Sequence, residues 1–188
     1  MMTGSSDQRL VSAVIIPAPP EVVSFAEQLR QLYGKNHEHV PPHITVLWPF
    51  VTLGSVDMGV DDQLLALTST QLQAICQDIE PFSLTLDRYG IFGGDVNILY
   101  LALRDPQPFI TFYERLRAVF PEYPLYGGQF AEVTPHLTLI EAEQPLDALP
   151  CSPFEPFTFT VRTVHFMYGD TSFLQPWTLA AEIPLGVR

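Results

Sequence analysis

Two short segments of the chain have residue types and spacing suited to proton transfer at a phosphate. One is Pro42-His43-Ile44-Thr45-Val46-Leu47 and the other is Pro135-His136-Leu137-Thr138-Leu139-Ile140. Each reads as a strand alternating with period two, so its His and Thr share one face while the branched residues between them point the other way. That parity puts Leu47 with His43 and Thr45, and Ile140 with His136 and Thr138. An imidazole has an ordinary pKa near ~6.5, so of two imidazoles flanking one point, one can be neutral and the other protonated near neutral pH. That is the requirement for paired general base and general acid catalysis. A threonine hydroxyl two residues on can donate to a non-bridging phosphate oxygen. One His-x-Thr means little, since a buried histidine and a β-forming threonine explain it equally well. Two copies in matching contexts mean more.

The contexts match because the chain repeats itself. Arg9–Pro17 ends in Val14-Ile15-Ile16, a strand, and Pro19-Pro20 opens a helix with Val22, Phe25, Ala26, Leu29, Leu32 and Tyr33 on one apolar face, stopped by Gly34. At an offset of 87, Leu101-Ala102-Leu103 matches the strand and Pro106 falls on Pro19. Phe109, Phe112, Tyr113, Leu116, Val119 and Phe120 fall on the six apolar positions, with Glu114 and Arg117 on Glu27 and Arg30. Helical periodicity alone reproduces the apolar spacing but not the Pro, Glu and Arg coincidences, so an internal duplication is read, over about 9–50 and 96–141. The His-x-Thr segments are offset by 93, so the loop before the second is six residues longer.

The remaining elements are an Asp-capped helix over Asp61–Ile79 and a hairpin of Phe82–Phe92 and Val96–Leu103 turning at Gly93-Gly94-Asp95. Phe157–Tyr168 and Phe173–Ile183 read as a closing hairpin around Gly169-Asp170, and Gln144–Pro150 is too short to repeat the middle helix. The predicted fold is α+β: one bilobal domain over 1–188, a pseudo-twofold duplication with antiparallel sheets lining a central cleft and helices outside.

Composition narrows the function. The 188 residues are 47% hydrophobic and 16% charged, with mean hydropathy +0.16, which excludes a disordered chain. No run is long and apolar enough to span a membrane, and the polar Met1–Leu10 has no signal-peptide core. Two cysteines, Cys76 and Cys151, make neither a disulfide framework nor a zinc motif and suit a reducing, cytoplasmic setting. Twenty-one acidic residues against nine basic ones give a net charge of −12, and Lys35 is the lone lysine. A long RNA needs a basic track, so a small phosphorylated nucleotide is the favoured partner.

The paired segments Pro-His-Ile-Thr-Val and Pro-His-Leu-Thr-Leu resemble the signature of the two-histidine (2H) phosphoesterase superfamily. The stretch His43–Phe50, ending Leu-Trp-Pro-Phe, is similar to that of its bacterial 2′-5′ RNA ligase-like branch. The resemblance runs from the first strand to about Leu139. It implies metal-free cleavage of 2′,3′-cyclic phosphates, giving a 2′-phosphate, or of 2′,5′-linked phosphodiesters, with ligation as the reverse reaction and no cofactor. It also implies His43 and His136 as catalytic residues and Thr45 and Thr138 as phosphate-binding ones. Where many RNA-acting relatives carry basic residues after the second motif, this chain has Glu141 and Glu143, which again favours a small nucleotide.

Other candidates are weaker. Tyr126 and Phe130, in the long glycine-containing loop before His136, are candidates for base or ribose contacts. Trp48 and Phe50 are assigned by parity to packing away from the histidines. His37-Glu38-His39 could ligate a metal with His43, but a solvated loop explains it more simply. His165 reads as a core or edge histidine. A module that binds a small phosphorylated nucleotide without cleaving it is the alternative function.

Overall fold

The computed structural model describes residues 8–33, 39–130, 132–142, 153–172 and 175–186. In chain order the elements are β1 (Arg9–Pro17), α1 (Pro20–Tyr33), β2 (His43–Leu47), β3 (Thr52–Ser55), β4 (Gly59–Val60), α2 (Asp62–Cys76), β5 (Phe82–Phe92), β6 (Asn97–Leu103), α3 (Gln107–Val119), a short 3-10 turn (Leu125–Gly128), β7 (His136–Ala142), β8 (Phe157–Val161), β9 (Thr163–Asp170) and β10 (Thr178–Pro184).

The antiparallel strands form one sheet in the order β10-β9-β1-β2-β7-β6-β5-β8, with β3 pairing β1 off this path and β4 pairing β3. The order is itself twofold. β2 and β7 meet at the centre, β1 and β6 flank them, β9 and β5 come next, and β10 and β8 are outermost. Across the centre a single residue pair, Ile44 with Leu137, joins the halves. The two sheets expected from the repeat are thus one sheet, continuous through that seam.

The proline-started helices behave as their periodicity requires. α1 buries Val22 and Ala26, and α3 buries Phe109, Phe112, Tyr113 and Leu116. α2 is capped by the Asp61 carboxylate, which accepts from the Leu64 amide at 3.0 Å, and it buries Leu72 and Cys76. All three helices share one apolar cluster on one face of the sheet, with Val14, Ile16, Ile44, Val46, Leu101, Leu137 and Leu139. Val119, expected on the apolar face of α3, is instead 51% exposed. It lies in the last turn of the helix, while the adjoining Phe120 is buried.

Three sequence expectations need correction. Leu47 and Ile140 do not share a face with the motif histidines, because both lie in the helix-side core. The cause is a bulge in each half. Leu47 pairs with Val14 but Thr45 with Ile15, leaving Val46 as the extra residue. Ile140 pairs with Leu99 but Thr138 with Tyr100, leaving Leu139 as the extra residue. An extra residue flips the parity of all that follows. Second, these registers equate Ile15 with Tyr100 and Pro17 with Ala102, an offset of 85 in the strand against 87 in the helix. The apolar run Ile98–Leu103 slides by two residues without changing parity, so its face is legible in the sequence and its register is not. Third, Phe157–Tyr168 is not one arm of a hairpin. It divides at Arg162 into β8, which pairs with β5, and β9, which pairs with β1 and β10. Gly169 and Asp170 continue β9 rather than turning it. Gln144–Pro150 and Cys151 lie outside the described residues.

Candidate active site

The face opposite the helices carries the polar side chains of both motifs. Ile44 pairs with Leu137 in antiparallel register, so the next residues outward set His43 opposite Thr138 and Thr45 opposite His136. The four side chains form a square about the seam, with the two histidines on one diagonal and the two threonines on the other. Diagonal neighbours on adjacent strands lie about 7–8 Å apart, within joint reach of two imidazoles. All four sequence-predicted motif residues are therefore brought together.

Each ring is held in the same way. His43 Nδ1–H donates to the carbonyl of Pro41 at 2.7 Å, and His136 Nδ1–H donates to the carbonyl of Thr134 at 2.8 Å. A carbonyl only accepts, so Nδ1 carries the proton and Nε2 is left as the reactive nitrogen. Pro42 and Pro135 contribute locally: the residue before a proline is held extended, which presents its carbonyl to the histidine that follows.

The electrostatics are shared but unequal. Burial pushes the His43 imidazole down to about 4, opposed by the Pro41 carbonyl and assisted by the charges of Arg30 and His136. His136 is also lowered, chiefly by burial, with the Thr134 carbonyl opposing. Aromatic rings account for that burial. Phe92 meets His136 edge-on at 4.9 Å, Tyr100 lies at 5.1 Å, and Tyr126 is near-parallel at 6.3 Å. Phe92 and Tyr100 stack on each other at 4.2 Å.

Tyr126 touches both motifs. Its hydroxyl hydrogen-bonds Thr45, its ring faces His136, and burial raises its phenol pKa. Its amide donates to the Trp48 carbonyl at 2.6 Å, with Tyr126 at φ 53 and two positive-φ glycines, Gly127 and Gly128, behind it. Phe130 packs edge-on against Tyr126 at 5.7 Å and is 63% exposed. Phe50 is in the core as expected, against Phe120, Tyr123 and Phe166. Trp48 is on the other face. The β2 bulge turns it onto a small cluster of Val11, Ala13, Ile15, Met167 and Trp177. Ile15 is the cross-strand partner of Thr45, so this cluster adjoins the motif face.

Three contributors were missed in the sequence. Tyr100 and Phe92 sit in what reads as an ordinary hairpin, and Arg30 reads as one polar position on an apolar helix. The available signal for Arg30 was its recurrence as Arg117. His165 pairs with Ile15 and lies 3.8 Å from Glu182, on the motif face but one strand beyond β1. His37 and Glu38 lie outside the described residues. Among the described residues no group of three or more His, Cys, Asp or Glu side chains is arranged to hold a metal ion.

A duplicated α+β fold with a paired His-x-Thr square at its seam defines a class, and sequence comparison identifies it. The family model described as the 2'-5' RNA ligase superfamily matches residues 18–172, and the chain belongs to that family. A curated Geobacillus kaustophilus protein named "Putative phosphoesterase" is 24% identical over 127 residues, 67% of this chain and 66% of that protein. A Bacillus cereus protein of the same name is 30% identical over 119 residues, 61% of this chain and 59% of that one. The chain thus matches 66% and 59% of the length of these relatives, less than two thirds of each. Among solved structures, E. coli LigT complexed with 3'-AMP superposes with a TM-score of 0.62 at 18% identity, covering 95% of this chain and 98% of that one. A Thermus thermophilus protein gives 0.60 at 17% identity, with the same coverage. At these identities the likeness establishes the fold.

Proposed function

We propose that the protein is a metal-independent phosphoesterase that opens 2′,3′-cyclic phosphates, or cleaves 2′,5′-linked phosphodiesters, of small nucleotides. The observation that carries this reading is the twofold pair of imidazoles, each with Nδ1 tied to the carbonyl two residues upstream and Nε2 left for chemistry. In hydrolysis of a cyclic phosphate, one Nε2 takes a proton from water as its oxygen bonds to phosphorus. The bond from phosphorus to one ribose oxygen breaks, and the other imidazolium gives that oxygen its proton. Thr45 and Thr138 donate to the non-bridging oxygens, where charge builds in the transition state.

A small ligand fits the composition better than a long RNA. The net charge is −12, and Glu141 follows the second motif. Solved E. coli LigT structures hold 3'-AMP, phosphate, NADP+ and ATP, ligands of this size. Tyr126 and Phe130, with Tyr100 and Phe92, supply the aromatic surface for a base or ribose on the His136 side. The two halves work as one bilobal unit, since the site exists only where they join. No described helix is long and apolar enough to cross a membrane. A cytoplasmic setting is inferred from the sparse cysteine content.

The test is turnover of 2′,3′-cyclic AMP by the full chain in the presence of EDTA. A 2′-phosphate product, undiminished by the chelator, is expected. Tight binding without product would favour the non-catalytic module, and loss of turnover in EDTA would favour a metal-dependent enzyme.

A further inference from the structure

The two halves repeat each other, yet one buried charge is not repeated. Arg30, on α1, is buried, with 8% of its surface exposed. Its guanidinium crosses from the first half to the second. Nη2 donates to the Thr138 carbonyl at 3.1 Å and Nε to the Leu139 carbonyl at 3.3 Å. Those carbonyls belong to β7 just beyond its single pairing with β2, on a stretch that still pairs with β6. Leu139 is also the bulged residue. A cation therefore anchors the backbone beneath the threonine that faces His43.

Its counterpart in the repeat does something else. Arg117 lies with its guanidinium carbon 5.9 Å from the Tyr113 ring centre and donates to the Tyr113 hydroxyl at 3.3 Å, within its own helix. The twofold symmetry of the imidazoles is thus broken by a charge on one side. The field of Arg30 acts on His43, together with that of His136, and both disfavour protonation there. For His136 the burial of the ring is opposed by the Thr134 carbonyl. Other charged and titratable groups facing this corner are Glu27 on α1, 3.5 Å from Arg30, Glu141 on β7, which also acts on Arg30, and the Tyr126 phenol.

We propose that Arg30 is a positioning residue that makes the two histidines unequal: it fixes β7 under Thr138 and sets a positive charge on the His43 side, so that His43 works as the proton acceptor and His136 as the proton donor. This rests on the hydrolase reading for its chemistry, but the inequality itself is a property of the chain. For a cyclic phosphate, the water proton goes to His43 Nε2, the new P–O bond forms, the ester P–O bond breaks, and the His136 Nε2 proton goes to the departing ribose oxygen.

Imidazole NMR titration of the whole chain reads the inequality without turnover. His43 is expected to titrate below His136. Arg30→Met, which keeps the length but removes the charge, is expected to raise the His43 midpoint, whereas Arg30→Lys leaves it low. Glu27→Gln changes an exposed side chain that need not disturb folding. It unmasks Arg30 and is expected to lower His43 further. His43 titrating at or above His136, or a His43 midpoint indifferent to both Arg30→Met and Glu27→Gln, would overturn the proposal. Kinetics supply the second arm. A cyclic phosphorothiolate with sulfur at the departing position leaves as thiolate and needs no proton donor. His136→Ala is expected to recover most of its lost rate on it, and His43→Ala to recover none. Recovery in His43→Ala instead would overturn the assignment. If the unaltered protein turns over neither substrate, the hydrolase reading fails, and the titration still decides the inequality.

Discussion

Replacing Gly90 with alanine tests whether Tyr100 helps to position His136. A Cβ at residue 90 would lie 2.3 Å from Tyr100 Cζ and 2.5 Å from both Cε2 and the hydroxyl oxygen. Carbon atoms rest about 3.5–4.0 Å apart, so the ring must retreat by roughly 1–1.5 Å. It cannot do so alone, since it stacks on Phe92 at 4.2 Å and lies 5.1 Å from His136. Overpacking of this kind costs about 1–3 kcal/mol of stability. Misplacing a reacting group by about 1 Å costs on the order of 10²-fold in rate. The assay is denaturant unfolding together with steady-state hydrolysis of 2′,3′-cyclic AMP, for Gly90→Ala, Tyr100→Ala and the double variant. Both losses caused by Gly90→Ala are expected to vanish in the Tyr100→Ala background, because the clash has lost its partner. Full rate and stability in Gly90→Ala, or an equal loss with and without Tyr100, would refute the reasoning.

Other predictions concern the same square. Thr45→Ala and Thr138→Ala each remove a donor to the phosphoryl oxygens and are expected to lower kcat by about 10²–10³-fold, measured at saturating substrate. Tyr126→Phe removes the hydroxyl that holds Thr45 and is expected to cost about 1 kcal/mol, roughly fivefold in kcat/KM. Both imidazoles titrate below their ordinary range, His43 at about 4. A bell-shaped kcat/KM profile with its optimum on the acid side of pH 6.5 is therefore expected, and a flat profile from pH 4 to 9 contradicts two titrating groups. The same shifts set a sign for stability. The unfolded chain binds more protons than the folded one between about pH 6.5 and pH 4, so this contribution is fully present above 6.5 and is lost as pH falls through 4. Thermal melts should show a falling midpoint across that window, less steep in His43→Ala.

The residues that were legible in the sequence are those with a local cause. Prolines at helix starts, apolar faces at helical spacing, the Asp61 cap and the alternating motif strands each depend on near neighbours. The duplication then implied that the two motif strands are equivalent, and antiparallel pairing at the seam sets them side by side. What was hidden depends on partners far along the chain. The bulges at Val46 and Leu139 are visible only when β1 and β6 are in register beside them. The division of Phe157–Tyr168 at Arg162 reflects two different partners for one continuous strand-like run. Arg30 finds its carbonyls 108 and 109 residues away. Trp48 faces the side opposite to that given by simple alternation, because one extra residue upstream, Val46, reverses the parity.

The central claim is that His43 and His136 address one phosphorus atom as a pair. It is tested most directly by comparing hydrolysis of 2′,3′-cyclic AMP by the unaltered chain, His43→Ala, His136→Ala and the double variant. Each single variant is predicted to lose about 10²–10⁴-fold, and the double variant to lose little more than either, because the two rings act in one step. Full turnover in either single variant, or losses that multiply independently in the double one, would contradict the account.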